Sequence, residues 1–368
     1  MSPFKRAIAR DKSEFVIATE VAARVDPESP DHHCVNSTPE GDLMKLRKLI
    51  FLLVALALLL AGCSSSDPNP SNTPAVVVGF SQLGSESGWR IGNTASMEQA
   101  AKDWGFGLML DNANQRQEKQ IAAIRSFISY QVDVIVFSPI VETGWDNVLR
   151  EARQANIPVI LMDRMLKVDD DTLYTAYIGA DFLAEGRRAG QYLVKKADAM
   201  GAEHLNIVEI TGTEDSTPMR DRQTGFRWAI EGDGRFTILE SVTGDFLRSK
   251  GEECMRYLLD KYGPEGIDVV YSHTDEMTLG ALKVLEAAGL RPGQDIILIS
   301  VDGQQEAVDA LKEGKINCIA ECSPDLGKAV MEMVDALTHG KQVPKRNHPV
   351  ERVFTEFDDL SGIGPRGY

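Results

Sequence analysis

Ile296-Ile297-Leu298-Ile299-Ser300-Val301 and, earlier in the chain, Val132-Asp133-Val134-Ile135-Val136-Phe137 are the stretches of sequence that decide the fold. Both are short and almost continuously apolar, which is typical of parallel strands that are covered on both faces. From Val76 onward, runs of this kind alternate with longer amphipathic segments. This alternation predicts an α/β fold with doubly wound parallel sheets.

The pattern defines ten strands and nine helices between Val76 and the end of the sequence. The predicted strands lie at 76–80, 107–110, 132–138, 157–162, 174–179, 205–211, 236–242, 268–273, 296–301 and 316–320. The predicted helices lie at 89–104, 116–130, 143–155, 182–199, 219–231, 249–262, 277–288, 304–313 and 324–338. Ten strands in about 300 residues suit two domains better than one.

Residues 44–62 have the composition of an export signal, with a basic start, an apolar run and small residues at the end. The apolar run, Ile50 to Leu60, is too short to span a bilayer. Cys63 directly follows Leu-Ala-Gly, and this arrangement resembles the lipobox of bacterial lipoproteins. The resemblance implies cleavage before Cys63 and a lipid anchor on its thiol, whereas the alternatives are a plain signal peptide or a buried helix with a chance Cys.

The segments on either side of this signal have no apolar periodicity. Residues 1–43 are expected to be an untranslated or disordered extension, with Met44 as the initiator, because export signals begin a chain. Residues 63–75 are rich in Ser, Pro and Asn and are predicted to be a lipid-anchored tether. We therefore expect an exported protein of the periplasm or cell surface, held to a membrane by its lipid.

Composition restricts the partners and the redox chemistry of the chain. A formal net charge of −16 argues against nucleic-acid binding, which requires clustered Lys and Arg. Cys318 and Cys322 lie too far apart along one extended segment to bridge each other. A bridge from Cys254 to either of them remains open, as do buried free thiols.

Polar and charged residues follow the carboxyl ends of several predicted strands, which is where doubly wound sheets bind ligands. They are Glu86, Arg90, Asp163, Arg164, Arg222, Thr274, Asp275, Asp302 and Glu321. Taken singly, such a residue suits an exposed loop or a helix cap, as Asp275 before Met277 does. Together, carboxylates and guanidinium groups suit paired hydrogen bonds to sugar hydroxyls. Trp89 and Phe246 are either sugar-covering aromatic faces or core residues.

The stretch from Gly79 to Arg90, Gly-Phe-Ser-Gln-Leu-Gly-Ser-Glu-Ser-Gly-Trp-Arg, carries a family resemblance. It is similar to the first strand and loop of the galactofuranose-binding proteins of bacterial ABC sugar importers, which are type I (ribose/galactose-type) periplasmic binding proteins. The likeness extends over about residues 76–358, and its further segments include Asp163-Arg164, 244–251, 288–293 and Val301-Asp302-Gly303.

The resemblance implies a role for each matching position. Sugar contacts from the first domain would come from Glu86, Trp89, Arg90, Asp163 and Arg164. Contacts from the second domain would come from Arg222, Phe246, Asp275 and Asp302. Glu321 would sit at a hinge crossing, where ribose binders carry Gln, and Thr274 replaces the Asn usual in the family, which leaves the identity of the sugar open.

The resemblance also implies a domain plan, with chain crossings near residues 178, 321 and 350. The N-terminal lobe would comprise 76–178 and 322–350, and the C-terminal lobe 179–321 and 351–368, joined by a multi-strand hinge. A monomer would capture a monosaccharide, with galactofuranose favoured, by closing the lobes and would deliver it to the permease and ATPase of an importer. The alternatives are ribose or another pentose or hexose, and a receptor for chemotaxis or signalling.

Two other classes fit the sequence poorly. A sugar-responsive repressor shares this core fold, but an export signal occupies the place of its DNA-binding unit. An enzyme lacks support, because Gly84-Ser85-Glu86-Ser87-Gly88 has Glu where a nucleophile elbow has Ser, and no phosphate-binding Gly-rich motif is present. The His residues lack metal-ligand spacing. We therefore expect no catalysis, no cofactor and no metal site.

Overall fold

A computed structural model describes residues 75–368 of the chain. The expected extension at 1–43, the signal at 44–62 and the lipid anchor at Cys63 lie outside the described residues. The same holds for the tether, apart from its last residue. Within the described part, none of the helices is both long and apolar enough to cross a membrane.

The first sheet has six strands, all parallel, in the spatial order β11-β5-β4-β3-β1-β2. Its strands are β1 (Val77–Gln82), β2 (Gly107–Asn112), β3 (Val134–Phe137), β4 (Val159–Met162), β5 (Ala176–Ile178) and β11 (Arg346–Asn347). In the register of the central strands, Phe80 of β1 lies opposite Val136 of β3.

The second sheet also has six strands, in the order β12-β10-β9-β8-β6-β7. Its strands are β6 (Leu205–Thr211), β7 (Phe236–Thr243), β8 (Val269–Ser272), β9 (Ile297–Asp302), β10 (Cys318–Glu321) and β12 (Val353–Thr355). Only the edge strand β12 runs antiparallel to its neighbour in this described sheet.

The helices connect successive strands and cover both faces of each sheet. In the described residues they are α1 (Gly88–Trp104), α2 (Gln117–Tyr130), α3 (Asp146–Gln154), α4 (Phe182–Met200), α5 (Thr217–Ile230), α6 (Arg248–Tyr262), α7 (Asp275–Ala287), α8 (Gln305–Lys312) and α9 (Gly327–Thr338). The predicted fold class, two doubly wound α/β units, is confirmed, and each predicted strand and helix has a counterpart within a few residues.

Alternation along each strand explains why these runs are apolar throughout. In β3, Ile135 and Phe137 pack in one core cluster, whereas Val134 and Val136 pack in the cluster on the opposite face. Successive side chains of a strand point to opposite faces, so a strand covered on both sides buries all of them. The second sheet is built in the same way, with separate clusters on its two faces.

The chain passes between the two sheets three times. It leaves the first sheet after Ile178, returns from the second after Glu321, and passes again between Asn347 of β11 and Val353 of β12. The sequence pattern missed β11 and β12, because two or three residues are too short to show a period. Their pairing depends on strands distant in sequence.

The three cysteines of the described chain are buried free thiols, so neither open bridge is formed. Cys254 packs in one core cluster of the second sheet, whereas Cys318 and Cys322 pack in the other. The sheet itself therefore separates Cys254 from both possible partners. A disulfide requires Cα atoms within about 7 Å of each other, which this arrangement prevents.

Candidate functional site

A cavity with an empty volume of about 380 Å³ lies between the carboxyl ends of the two sheets. This volume includes space that is open to solvent. The lining residues are Glu86, Ser87, Trp89, Arg90, Asp163, Arg164, Pro218, Arg222, Phe246, Thr274, Asp302 and Cys322. We call those from the first-sheet unit (86–164) the first half of the cavity and those at 218–302 the second half.

Arg90 and Asp163 form a buried ion pair in the first half. Arg90 Nη2 lies 2.8 Å from Asp163 Oδ2, and Arg90 Nε lies 3.6 Å from Glu86 Oε1. Ser87 begins α1 by accepting a hydrogen bond from Arg90 N, which places Arg90 in the first turn of the helix. Ser138 Oγ donates to the same Asp163 oxygen at 3.0 Å. The carboxylate is thereby fixed at the end of β4.

Arg164 projects into the same half with few partners. Its Nη1 donates to Ile140 O at 3.1 Å, and its Nε lies 4.0 Å from Asp163 Oδ2. Burial and the neighbouring positive charge of Arg90 lower the pKa of Arg164 to about 10. Its guanidinium carbon lies 5.2 Å from the ring centre of Phe246, which reaches across from the second half.

Arg222 is the central cation of the second half and is held by the protein itself. Its Nε donates to Glu185 Oε2 and its Nη1 to His273 O, both at 2.7 Å. Its Nη2 lies 3.6 Å from Asp302 Oδ1. Burial is the largest single influence and acts to lower the pKa of Arg222, but Glu185, Asp302 and the other groups around it together outweigh burial, so the pKa is raised. Burial also raises the pKa of Asp302 well above its usual value.

Several buried polar atoms of the first half have no hydrogen-bond partner among the described residues. They are Glu86 Oε2, Arg90 Nε, Arg90 Nη1 and Arg164 Nε. An unpartnered buried polar group is destabilising by about 1–3 kcal/mol. A ligand that supplies both hydrogen-bond acceptors and donors would satisfy these four atoms.

Two aromatic side chains close the cavity. The Trp89 indole nitrogen donates to Cys322 O at 2.8 Å, which fixes the ring against the segment after β10. Phe246 adopts φ of 63°, an uncommon backbone conformation for a bulky residue, and its ring lies against Gly212. A Cβ at position 212 would lie 1.8 Å from Phe246 Cζ, so glycine leaves the space that this ring fills. Strained residues of this kind concentrate at ligand sites.

Nine of the eleven residues that the sequence singled out line the cavity, and two do not. Asp275 lies behind it, with one carboxylate oxygen accepting from Gly303 N and Gln304 N at 2.6 Å each. Burial raises the pKa of Asp275 to about 7. It is not the helix cap that the sequence suggested, because Thr274 Oγ1 accepts from Met277 N and caps α7. Asp275 is thus a support of the site rather than part of its lining.

Glu321 also lies outside the lining. It ends β10, and its carboxylate pairs with Arg366 at 2.6 Å and with the backbone N–H of Arg352 at 3.0 Å. These bonds hold the neighbouring β12 strand and the segment after it, so they explain Glu321 without a ligand. Glu321 is the last residue of β10, after which the chain returns to the first sheet.

Three lining residues were not singled out as site residues from the sequence: Ser87, Pro218 and Cys322. Each begins or precedes a helix, or follows a strand end, at the edge where the cavity lies. Position after a strand could have indicated them, but their side chains lack the charge that drew attention to the others. Pro218 stands in the first turn of α5, where proline fits because the lost N–H has no partner there.

Glu185, Cys322 and Glu351 form a buried cluster that meets the cavity at Cys322, close to the passages between sheets. Their potential ligand atoms lie within 4.8 Å of one another. Burial raises the pKa of Glu351 to about 9 and also raises the pKa of Glu185 and of the Cys322 thiol. Raised pKa values favour the protonated, uncharged forms of these groups, and Glu185 also has the guanidinium of Arg222 as a positive partner. The charges of the cluster are therefore balanced without a metal ion.

Comparisons with known proteins, by family and by individual relative, indicate the same family. The profile of the periplasmic binding protein domain matches residues 78–342. A relative from Escherichia coli (strain K12), the galactofuranose-binding protein YtfQ, is 36% identical over 290 residues that cover 78% of this chain and 90% of that protein.

Solved structures show the same likeness. A Mycobacterium smegmatis protein in complex with β-D-fucofuranose is 45% identical, with a TM-score of 0.74, and the match covers 77% of this chain and 92% of that one. The binding protein of the arabinose ABC transporter from Shewanella sp. ANA-3, bound to α- and β-L-arabinofuranose, is 42% identical with the same TM-score and the same coverage.

Proposed function

Because this chain belongs to the periplasmic binding protein domain family, we propose that it is an extracytoplasmic sugar-binding protein of an ABC importer. It captures one monosaccharide, with galactofuranose as the first candidate, and presents it to a membrane permease and its ATPase. The observation that carries the proposal is the cavity between the two sheets, where buried guanidinium and carboxyl groups keep unpartnered atoms.

The charge of the lining supports a neutral ligand. Three arginines face three carboxyl groups in the cavity wall. Such a wall mixes both kinds of charged group rather than collecting cations alone, as a phosphate site does, and its charged groups form strong hydrogen bonds to neutral hydroxyls. A sugar hydroxyl both donates and accepts, so one ligand could satisfy Glu86 and the two arginines of the first half together.

Magnitudes are consistent with this mode of binding. A hexose of about twelve non-hydrogen atoms bound at about 1 μM requires about 8 kcal/mol, or about 0.7 kcal/mol per atom. Apolar burial contributes little for a molecule covered in hydroxyls. Hydrogen bonds to charged groups contribute about 1.5–3 kcal/mol each, so a few of them in a closed cavity are sufficient.

A five-membered sugar ring is the preferred form of the ligand. The relative and the two solved structures described above carry galactofuranose, fucofuranose and arabinofuranose in their names. Thr274 stands in the lining with a single hydroxyl, so the choice among furanoses is not determined by the family. Ribose or another pentose or hexose is the alternative ligand, and a chemotaxis or signalling receptor is the alternative role.

The proposal includes the lobe plan and the anchor. The N-terminal lobe comprises 76–178 and 322–350, the C-terminal lobe 179–321 and 351–368, and the three connecting segments act as the hinge. Two lobes that close on a ligand exclude water, which strengthens each polar contact. Lipid on Cys63 would hold this monomer beside its permease.

A thermal-shift screen across furanose and pyranose sugars, followed by calorimetry, tests the function. We expect a furanose to raise the melting temperature and to bind in a one-to-one ratio. Asp163→Ala and Arg164→Ala should each lower that affinity at least about tenfold, which corresponds to about 1.4 kcal/mol. Arg291→Ala, at an exposed arginine paired with Asp295, is the matched control and should bind normally.

Folding of each variant is checked by circular dichroism before binding is compared. Unchanged affinity in both folded variants would remove Asp163 and Arg164 from the site. Recovery of a chemically altered sugar after incubation would contradict a pure binding role and favour an enzyme. Loss of sugar uptake by cells that lack the protein would separate transport from signalling.

A further inference from the structure

Glu142 lies beside the cavity, without lining it, and is one of the most buried carboxylates at the junction of the two halves. It follows β3 in the first-sheet unit and is only 4% exposed. One of its carboxylate oxygens pairs with the guanidinium of Arg220, and the other lies 2.5 Å from Lys167 Nζ. Since Arg220 stands on α5 of the second-sheet unit, Glu142 links both sides of the cavity.

Backbone contacts at the same place make the junction continuous. Glu142 N donates to Asp215 O at 3.3 Å, and Met165 N donates to Thr217 Oγ1 at 3.0 Å. Each of these bonds joins the first-sheet unit to the segment that begins α5. The first turns of α5 also carry Pro218 and Arg222 of the cavity lining, so the junction and the second half of the cavity move with one helix.

The charges of this junction remain paired when it opens. Arg220 Nε also lies 2.9 Å from Asp221 Oδ1, its neighbour on α5, and Glu142 also pairs with Lys167 in its own unit. Separation of the two units would therefore leave neither Glu142 nor Arg220 without a partner of opposite charge. Such a contact can break and re-form, because breaking it does not leave a buried charge without a partner.

We propose that Glu142 and Arg220 form a closure latch: two positioning residues that set the lifetime of the sugar-bound closed state without touching the sugar. The inference rests on the proposed function and adds to it a determinant of release. The two residues are in contact only when the units have closed. The latch therefore lowers the rate constant for sugar dissociation, and it leaves unchanged the rate constant for association of sugar with the open protein. Most affinity differences among related complexes arise in the dissociation rate in the same way.

Stopped-flow fluorescence, with Trp89 in the cavity as the reporter and the strongest stabilising sugar from the screen as the probe, tests the latch. Glu142→Gln and Arg220→Met should each raise koff about three- to tenfold, with kon changed less than about twofold. The ratio of affinities for two different sugars should stay the same, because neither residue contacts the ligand. A residue that touched the sugar would alter that ratio.

Two control variants separate the latch from general charge effects. Arg150→Met removes an arginine of nearly the same exposure as Arg220, 44% against 43%, whose partner Asp146 lies in its own helix. Lys167→Met removes the partner of Glu142 within its own unit. Arg150→Met should leave koff within about twofold of the unchanged protein, and Lys167→Met should not raise it.

A koff that stays unchanged in both latch variants overturns the proposal, as does an equal rise in the Arg150→Met control. Small-angle scattering of sugar-free protein gives a second readout that does not depend on the ligand. The latch variants should show a larger radius of gyration than the controls. If none of the sugars binds, the proposed function fails. An unchanged radius of gyration of the latch variants in the scattering experiment overturns the latch independently of sugar binding.

Discussion

Arg164 in the first half of the cavity and Arg222 in the second half are both 3% exposed, but they differ in their hydrogen-bond partners. Arg222 gives two hydrogen bonds to Glu185 and His273 and has a raised pKa. Arg164 gives one hydrogen bond to a carbonyl, keeps an unpartnered Nε and has a lowered pKa. The guanidinium of Arg222 is therefore held by the protein, whereas that of Arg164 is left for a ligand to complete.

This difference indicates how the halves act. A half with unpartnered atoms gains most from a ligand, because each new hydrogen bond removes a standing penalty. Arg222, whose hydrogen bonds are already made, changes little on binding and gives the second half a fixed surface that closes over the ligand. We expect substitution of Arg222 to affect mainly stability, and substitution of Arg164 mainly affinity.

The largest effect is expected for Arg222→Met. Its loss leaves Glu185, 0% exposed, without its buried counter-charge, so the free energy of unfolding should fall by about 3–5 kcal/mol. Urea unfolding followed by circular dichroism measures this. Arg291→Met, at a guanidinium that is 70% exposed, should change the same quantity by less than about 1 kcal/mol. Equal stability of the two variants would contradict the view that Arg222 is held by hydrogen bonds and ion pairs within the protein.

Arg164→Met is the counterpart in the first half. Its removal breaks one hydrogen bond to a backbone carbonyl, so the free energy of unfolding should fall by about 1 kcal/mol or less. The affinity for the sugar should nevertheless fall at least about tenfold, or about 1.4 kcal/mol. Calorimetry and urea unfolding on the same preparation give both numbers. A variant that unfolds easily but binds normally would reverse the roles of the two halves.

The pH dependence of stability sharpens the comparison through Glu351, which lies in one buried cluster with Glu185, the partner of Arg222. Burial raises the pKa of Glu351 to about 9, above its usual value, with Glu185 adding to the rise and Arg222 and Arg188 opposing it. Between about pH 5 and pH 9 the folded state then holds a proton that the unfolded state has lost. The free energy of unfolding should therefore fall with rising pH, by at least about 1 kcal/mol over this range.

Unfolding midpoints in urea, measured from pH 5 to pH 9, provide the test. Glu351→Gln keeps the shape and removes the titrating proton, so its curve should be flatter than that of the unchanged protein. Glu313→Gln, at an exposed carboxyl paired with Lys315, is the control and should leave the slope as it was. Parallel curves for the protein and Glu351→Gln would show that this carboxyl does not carry the dependence.

The smallest effect is expected at Thr274, which caps α7 and also lines the second half. Its hydroxyl accepts from Met277 N at a long 3.4 Å, so Thr274→Ala should lower the free energy of unfolding by about 0.5–1 kcal/mol. Thr274→Asn keeps a capping oxygen and should restore most of that loss. If the two variants lose stability equally, the cap contributes nothing measurable.

Much of the fold was predictable because most of its strands are continuous apolar runs that alternate with amphipathic helices. The runs around Val134 and Ile297 gave strands within a few residues of those observed. The edge strands β11 and β12 were not predictable, since their two or three residues pair only where the folded chain brings them beside β5 and β10. The free state of Cys254 was likewise decided by the sheet that separates it from the other thiols.

The lining residues were predictable to the extent that position after a strand implies position at one edge of a sheet. That rule correctly grouped Arg90, Asp163, Arg222 and Asp302, which span 213 residues of sequence. It could not distinguish residues that line the cavity from residues that only hold the lining in place. Asp275 also follows a strand, yet the backbone of residues 303 and 304 occupies its carboxylate. Glu321 ends a strand and is paired with Arg366.

The sequence by itself determined the order of strands and helices and the edge at which charged groups would meet, because periodicity and position along a strand are local properties. Only the tertiary structure decided which of those groups are satisfied by the protein and which are left open. Hydrogen-bond partners come from segments far apart in the chain, as His273 and Glu185 do for Arg222. A guanidinium therefore looks the same in the sequence whether it supports the fold or awaits a ligand.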